Sequence, residues 1–278
     1  MSNSSPEQAM DASAEGLQCS VLGDVGLIEL ARPEKLNTWN PVMEAGLREK
    51  LTAWSDDPRV RVIVLTGQGK AFCAGIDMDV LKAASQVGFA GVAPVRERVD
   101  EDLAQRYTYL LGIPQPIVCA LNGAAAGVGV VLSLYCDIRL AAKSAKLAAV
   151  FARRGLVAEH GIAWLLPRLI GHARAAEWIL SGRTLMAAEA ERIGLVARVF
   201  EDEGFREAAV AYAQDLAVNC SPRSTRIIKQ QLVRGHSQSL AASVHEADDE
   251  LERCLESEDF KEGVRHFIEK RPPEFTGR

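Results

Sequence analysis

The sequence predicts an α/β protein in which short strands alternate with helices. Residues 60–66 form a β-branched run that ends at a Gly-Gln-Gly turn, which is typical of a buried strand. Residues 41–54 precede this run and carry apolar side chains at helical spacing. Residues 117–139 have the pattern of a strand, a tight turn and an apolar helix. Such alternation favours an α/β arrangement with crossover units.

The chain has 278 residues, 48% of them hydrophobic, and a formal net charge of −5. We expect a large core at residues 17–204, between a disordered leader at 1–16 and a helical region at 205–278. The acidic balance argues against nucleic acid as a partner, because phosphate binding needs a basic surface. No apolar run approaches the roughly twenty residues that span a bilayer, so we expect no membrane partner. Six cysteines without a C-x-x-C pair are typical of reduced thiols, and we expect a cytoplasmic protein.

The rest of the chain is expected to be organised around residues 117–139. A helix that begins near Gly127 leaves the N–H groups of Gly127, Val128 and Gly129 without intrahelical acceptors, and the helix dipole adds partial positive charge there. Because this helix is apolar on all sides, we expect these donors to lie in a dry setting where they can stabilise an oxyanion. The alternative is a buried helix whose glycines serve only close packing.

Several common catalytic motifs are missing from the sequence. Phe72 and Leu132 occupy the third glycine position of two candidate dinucleotide-binding loops, and Ala71 stands where a phosphate-binding loop needs Ser or Thr. The five histidines have no metal-site spacing, and no serine lies in a G-x-S-x-G turn. The sequence therefore offers no support for metal, phosphoryl-transfer or serine-hydrolase chemistry, and we expect no metal site.

Two separated segments resemble a known family. Residues 70–78, KAFCAGIDM, and residues 122–138, which begin with NGAAAGVGV and end in CDI, resemble the signature pair of the crotonase superfamily, the enoyl-CoA hydratases and isomerases. The RPEKLN stretch at 32–37 resembles its CoA-binding turn, and the closing FTGR is similar to the end of many members. The likeness runs from about residue 20 to the C-terminus.

The resemblance implies a crotonase-like spiral of ββα turns with a C-terminal helical trimerisation region, assembled as a homotrimer or a dimer of trimers. It implies an acyl-CoA thioester as the partner, no cofactor beyond the CoA of that substrate, and a thioester oxygen held between the N–H groups of Ala74 and Val128. By residue type alone, Asp77 is more often a helix N-cap and Lys35 a solvated surface charge. The residues that the resemblance places against CoA are Lys35, Leu36, Ala71, Gly75, Ile76, Asp77 and Met78.

The catalytic carboxylates are where the sequence departs from the family pattern. Relatives that hydrate 2-enoyl-CoA commonly use two glutamates, and the matching positions here are Val131 and Phe151. Neither side chain has an ionisable group that could transfer a proton. Both are expected as possible pocket residues. The stretch 155–161, GLVAEHG, resembles the segment in which 3-enoyl isomerases of the family carry one catalytic glutamate, and Glu159 matches it. An apolar wall is expected to raise the pKa of this carboxyl. His160 either tunes Glu159 or turns away from the pocket.

Three functions are compatible with these residues. The first is an isomerase that shifts a 3-enoyl-CoA double bond to position 2 through an enolate held in an oxyanion hole, with Glu159 as acid and base. The second is an enoyl-CoA hydratase that adds water to 2-enoyl-CoA with the help of Glu159 and His160. The third, of another class, is a non-catalytic CoA-binding assembly protein, because both customary glutamate positions are apolar.

Overall fold

The computed structural model describes residues 9–11, 15–87 and 102–278. The expected leader at 1–16 and the segment at 82–96, for which the sequence predicts no conformation, lie largely outside these ranges. Residues 9–11, inside the expected leader, form a short strand that pairs with the next strand of the chain.

The strands of the described ranges form two sheets. In chain order they are β1 (Ala9–Asp11), β2 (Leu17–Leu22), β3 (Val25–Leu30), β4 (Val62–Gly67), β5 (Ala71–Cys73), β6 (Ile117–Leu121), β7 (Ala124–Ala126), β8 (Ile138–Ala142), β9 (Lys146–Ala148), β10 (Thr184–Met186) and β11 (Arg198–Phe200). The large sheet has the order β1-β2-β3-β4-β6-β8-β11, and the small sheet has the order β10-β9-β7-β5. From β3 to β11 every neighbouring pair of the large sheet is parallel.

The connection between the two sheets gives the chain its spiral course. Three successive pairs of strands, β4–β5, β6–β7 and β8–β9, each place the first strand in the large sheet and the second in the small sheet. The strands β5, β7 and β9 are parallel to one another, and β10 closes this sheet in antiparallel orientation. The predicted α/β class is therefore confirmed, and the structure shows that its sheets are largely parallel.

Helices connect and cover these sheets. The first, α1 (Pro41–Ser55), begins where Asn40 Oδ1 accepts a hydrogen bond from the N–H of Met43 at 2.9 Å, and Pro41 suits its first turn. The remaining helices are α2 (Met78–Val87), α3 (Tyr109–Gly112), α4 (Val128–Leu134), α5 (Ile162–Ile170), α6 (His172–Ser181), α7 (Ala187–Arg192), α8 (Phe205–Asn219), α9 (Pro222–Arg234), α10 (Leu240–Glu256) and α11 (Glu258–Glu269). In the described ranges, 3₁₀ turns lie at Pro33–Lys35 and Ala152–Arg154.

Helix α8 packs on the large sheet through small side chains. Ala209 and Ala213 are fully buried in a cluster that includes Leu27 of β3. At the start of the helix, the Nε of Arg206 donates to the buried Glu29 carboxylate at 2.9 Å. The first helix of the expected helical region thus covers the sheet directly.

A buried ion pair links α9, the first of the last three helices, to the core. Lys229 of α9 is 5% exposed, and its Nζ lies 2.7 Å from Asp137 Oδ2 just before β8. Large apolar side chains on these helices are exposed in the single chain, among them Leu232, Leu240, Phe267 and Ile268. The trimerisation role of this region stays a prediction.

No helix in the described ranges combines the length and the apolar character needed to cross a membrane.

Candidate active site

Two loops that leave the small sheet side by side form the first part of the candidate site. Because β5 and β7 are parallel neighbours, the segments that follow them, 74–76 and 127–129, run next to each other. A Cβ on Gly129 would lie 2.2 Å from the carbonyl oxygen of Cys73, so only glycine lets α4 approach β5 this closely. Gly127 has φ 50° and ψ −114°, a conformation that residues with a Cβ avoid. Backbone geometry therefore sets this part of the site.

The N–H groups of Ile76 and Val128 have no acceptor among the residues that the structure describes. Val128 is the first residue of α4, so its N–H has no partner within the helix. The prediction of an available donor at Val128 agrees with this geometry. Ile76, which the family resemblance places against CoA, was not predicted to be a donor.

Two other predicted donors are already used inside the protein. The N–H of Ala74 donates to the carbonyl of Leu36 at 3.1 Å. The prediction that Ala74 supplies an oxyanion donor is therefore wrong, because this group ties the loop to the 3₁₀ turn that precedes α1. The N–H of Gly127, also expected to be free, donates to the carbonyl of Ala148 at 3.2 Å.

Both unpaired donors belong to residues that line a cavity of about 240 Å³. Most of its wall is apolar. Glu159 supplies the only carboxylate among the lining residues in the described ranges. The lining residues are Ala74, Gly75, Ile76, Leu81, Arg106, Gly127, Val128, Val150, Phe151, Arg154, Leu156, Glu159 and His160.

Glu159 lies between the 3₁₀ turn Ala152–Arg154 and α5, and its carbonyl accepts a hydrogen bond from the N–H of Ile162 at 3.2 Å. Its side chain is 26% exposed. Burial raises the pKa of the Glu159 carboxyl, and the positive charge of Arg106 opposes this rise. The direction agrees with the prediction, and a raised pKa brings a carboxyl closer to the range in which it can both accept and return a proton.

His160 lies at the cavity wall beside Glu159. Its Nε2 is 3.5 Å from Glu159 Oε2. Burial, with a smaller contribution from the positive charge of Arg106, lowers the pKa of His160 to about 4, so the imidazole is neutral at neutral pH. Its carbonyl accepts from the Tyr135 hydroxyl at 2.5 Å, and its ring packs edge-on against Tyr107 at 4.8 Å between centroids. Of the two alternatives for His160, the structure supports the position next to Glu159.

The two customary glutamate positions have different surroundings. Phe151 lines the cavity and is 3% exposed, as expected of an apolar wall. Val131 is fully buried in the apolar core and is absent from the cavity lining. The prediction of Val131 as a pocket residue is therefore wrong, because its side chain packs within the core.

The residues that the resemblance places against CoA do not all lie at the cavity. Gly75 and Ile76 line it. Leu36 and Met78 are exposed on the surface of the neighbouring turns, at 48% and 57%. Their role in binding CoA stays a prediction. The members of the set that are absent from the described cavity lining are Lys35, Leu36, Ala71, Asp77 and Met78.

Asp77 is buried, and its carboxylate is occupied by contacts within the protein. Oδ2 accepts from Arg32 Nη2 at 2.8 Å and lies 3.7 Å from Lys35 Nζ, while Oδ1 accepts from the N–H of Asp79 at 3.1 Å. The backbone N–H of Asp79, followed by Arg32, lowers the pKa of the Asp77 carboxyl. These contacts fit the alternative of a cap at the start of α2.

Sequence reasoning missed Arg106, which lines the cavity. Its Nε donates to Glu44 Oε1 at 2.7 Å and its Nη2 donates to Glu44 Oε2 at 2.5 Å. Trp39 Nε1 and the Tyr107 hydroxyl also donate to Glu44 Oε2, at 3.3 and 3.2 Å. Arg106 and Glu44 are 62 residues apart in the chain, so no motif or local spacing signals this pair.

Buried thiols do not provide a ready nucleophile. Burial raises the pKa of Cys73 to about 12 and raises the pKa of Cys119 well above its ordinary value. Both side chains are fully buried. In the described ranges, no three His, Cys, Asp or Glu side chains are grouped so that they could hold a metal ion.

The chain matches known proteins over most of its length. The family model for enoyl-CoA hydratase/isomerase matches residues 22–278. The 1,2-epoxyphenylacetyl-CoA isomerase of Escherichia coli K12 is 37% identical over 255 residues, which cover 90% of this chain and 94% of that protein. A probable enoyl-CoA hydratase of Rhodobacter capsulatus is 38% identical over 261 residues, covering 91% and 95%. The crystal structure of an enoyl-CoA hydratase from Bacillus anthracis has a TM-score of 0.81 at 30% identity and covers 95% of this chain and 100% of that one.

Proposed function

Because the chain belongs to the enoyl-CoA hydratase/isomerase family of the crotonase superfamily, we propose that it shifts the double bond of a 3-enoyl-CoA to position 2. Glu159 is the acid and base, and the N–H groups of Ile76 and Val128 form the oxyanion hole. One observation carries the proposal: in the described ranges, a single carboxylate lines the cavity that two unpaired backbone donors also line. The CoA belongs to the substrate, and the scheme uses no further cofactor.

The reaction needs one base that reaches two carbon atoms. The Glu159 carboxylate removes a proton from C2 of the 3-enoyl thioester, and the electron pair moves onto the thioester oxygen to give a dienolate. The N–H groups of Ile76 and Val128 stabilise this oxyanion, and each donor contributes about 3 kcal/mol. The same carboxyl then returns the proton to C4 while the new double bond forms between C2 and C3, so no proton is gained or lost overall.

A hydratase is the second candidate, and the position of His160 favours it. A separation of 3.5 Å between His160 Nε2 and Glu159 Oε2 allows both groups to contact one water molecule. The neutral imidazole can accept or donate a hydrogen bond. The apolar residues Val131 and Phe151 count against this candidate, because they remove the customary pair of carboxylates that would activate and orient the water.

Turnover of matched 3-enoyl-CoA and 2-enoyl-CoA substrates tests the proposal. Double-bond position and water addition are followed separately, for the unmodified protein and for Glu159→Gln. We expect isomerisation of the 3-enoyl substrate, lowered by about 10²–10⁴-fold in Glu159→Gln. Binding of an unreactive thioester should be retained in the variant, since the backbone donors are unchanged.

Other outcomes of this experiment would replace the proposal. Dominant hydration of 2-enoyl-CoA would select the hydratase, and full isomerisation in Glu159→Gln would remove Glu159 from the reaction. Thioester binding without turnover of any enoyl isomer would select the non-catalytic alternative. A third substrate, 1,2-epoxyphenylacetyl-CoA, is included because a relative at 37% identity is named for it. Its preferential turnover would move the assignment to that isomerisation.

We also propose that the helices α9 to α11 join copies of the chain into a trimer or a dimer of trimers. Phe267 and Ile268 are 79% and 71% exposed in the single chain, which is costly for large apolar side chains in water. Sedimentation velocity should give the mass of three or six chains, and Phe267→Asp should give a smaller species. A monomer at micromolar concentration would contradict this proposal.

A further inference from the structure

Arg106 shares the cavity with the proposed acid–base group. Its guanidinium contacts the Glu44 carboxylate of α1, and it lines the cavity together with Glu159, which precedes α5. Its side chain is 17% exposed, so water screens its charge only in part. In the scheme proposed above, Glu159 must be ionised before it can remove a proton from the substrate. A cation at the same wall favours this ionised form.

Glu44 restrains the guanidinium of Arg106 at this wall. The two hydrogen bonds from Nε and Nη2 form a bidentate contact, which fixes the orientation of the planar group. Glu44 is restrained in turn by Trp39 Nε1 and the Tyr107 hydroxyl. Arg106 is thereby held at the wall of the cavity that Glu159 also lines, and within the described ranges its ion pair is with Glu44 and not with Glu159.

The other charged and titratable groups around Glu159 do not take this role. His160 is neutral at neutral pH, because burial lowers its pKa to about 4. Arg154 lines the same cavity from the 3₁₀ turn, but it is exposed to water, which screens its charge. The first turn of α5 has no acidic side chain. Glu44 is absent from the described cavity lining, and its carboxylate accepts hydrogen bonds from Arg106 and offsets part of that charge.

We propose that the Glu44–Arg106 pair is a positioning device that keeps the Glu159 carboxylate ionised and uncovered, so that it is ready to accept the substrate proton. Arg106 supplies the favourable charge. Glu44 limits that charge and prevents the guanidinium from closing on Glu159. This inference rests on the proposed function, in which Glu159 is the acid–base group.

Titration of Glu159 in the free protein tests this inference. Protein labelled with ¹³C at the glutamate carboxyl carbon is followed by NMR as the pH is varied, and the signal of Glu159 is assigned by its loss in Glu159→Gln. We expect its midpoint to rise by about one pH unit in Arg106→Gln, because the charge that favours the carboxylate is removed. Arg154→Gln is the matched control: it removes the same charge from the same cavity, and the midpoint should not move.

Glu44→Gln gives a second test, in which the titration midpoint of Glu159 should shift in the opposite direction. Arg106 then keeps its charge without compensation, so the midpoint of Glu159 should fall below that of the unmodified protein. If Arg106→Gln does not fold, Glu44→Gln and Arg106→Lys decide the question. Arg106→Lys should leave the titration midpoint of Glu159 close to its original value. An unchanged midpoint in Arg106→Gln, an equal rise in Arg154→Gln, or a rise in Glu44→Gln would overturn the inference.

The titration does not depend on turnover, so the two proposals can fail separately. An unmoved midpoint in Arg106→Gln, with normal isomerisation of 3-enoyl-CoA, would reject the positioning role alone. A shifted midpoint in a protein that turns over no 3-enoyl-CoA would reject the proposed function and leave the electrostatic pair in place. In an active protein, the acidic limb of the pH profile of kcat/KM should move with the NMR midpoint.

Discussion

The cavity has two halves that are built in different ways. The donor half consists of residues 74–76 and 127–129, which follow buried parallel strands and offer backbone N–H groups. The carboxylate half consists of residues 151–161, a connection that offers the side chains of Glu159 and His160. Its backbone has positive φ at Gly155, His160 and Gly161, where the chain turns sharply before α5.

This difference determines which substitutions each half can tolerate. Every residue except proline has a backbone N–H, so a donor survives almost any change of side chain provided that the backbone position is kept. Valine at position 128 illustrates this, because its N–H stays unpaired at the start of α4. Proton transfer depends on the side chain itself. The carboxylate half is therefore where we expect the reaction of the protein to be set.

We expect the strongest loss of activity when the backbone of the donor half is disrupted. In Gly129→Ala the new Cβ would lie 2.2 Å from the Cys73 carbonyl oxygen, so α4 and β5 must separate and the donors at Ile76 and Val128 must move apart. We expect kcat/KM on the active substrate to fall by about 10²–10³-fold, the loss typical of one oxyanion donor. Gly263→Ala on α11 is the control, because its Cβ would meet only Phe275, at 3.9 Å. Near-normal activity in Gly129→Ala would show that the close approach is not required.

A smaller effect is expected on the pH dependence of the free energy of unfolding, through His160 in the carboxylate half. The pKa of His160 is about 4 in the folded protein and 6.5 as its ordinary value, so between these pH values the unfolded chain binds a proton that the folded chain does not. The free energy of unfolding should therefore fall as the pH falls from 6.5 to 4. The full shift corresponds to about 3 kcal/mol, and partial exposure reduces the expected contribution to about 2 kcal/mol.

The comparison with His160→Asn isolates this contribution, because asparagine tolerates the φ of 55° at this position. Urea unfolding at pH 7 and pH 4 should show that the variant loses about 2 kcal/mol less stability than the unmodified protein. The raised pKa of Glu159 acts in the opposite sense, since its carboxyl favours the protonated form when folded, and it is retained in both proteins. Parallel losses in the two proteins would contradict the prediction.

The smallest effect is expected where the two halves are tied together. The Tyr135 hydroxyl, at the end of α4, donates to the carbonyl of His160 at 2.5 Å. Tyr135→Phe should lower the free energy of unfolding by about 1 kcal/mol. It should also lower kcat by roughly fivefold if the same energy is lost from the alignment of Glu159. Tyr212→Phe on α8, which lies outside the cavity lining, should change neither quantity. Unchanged kcat in Tyr135→Phe would mean that this bond serves stability alone.

Much of the fold could be predicted because its signals are local. The β-branched run at 60–66 corresponds to β4, and the helical spacing at 41–54 corresponds to α1. The start of the buried helix was expected near Gly127, and α4 begins at Val128. Each of these patterns depends on neighbouring side chains that share one face of an element, so the chain itself carries the information.

The site was predicted less completely, and the two loops show why. Val128 and Glu159 were identified from motifs, and both line the cavity. Ala74 was assigned as a donor from the family resemblance, and nothing in the local sequence shows that its N–H is bonded to Leu36. That bond depends on how the turn before α1 packs against the loop after β5, which is a property of the assembled sheets.

The amino-acid sequence was enough to predict the α/β class, the family, the apolar residues at the two customary glutamate positions and Glu159 as the candidate carboxylate. The folded chain was needed to assign the unpaired donors to Ile76 and Val128. It also brought Arg106 to the wall of the cavity and paired it with Glu44. The functional group of each side chain is given by the sequence. The partner of an N–H group or of a charge depends instead on how segments that are distant in the chain pack together.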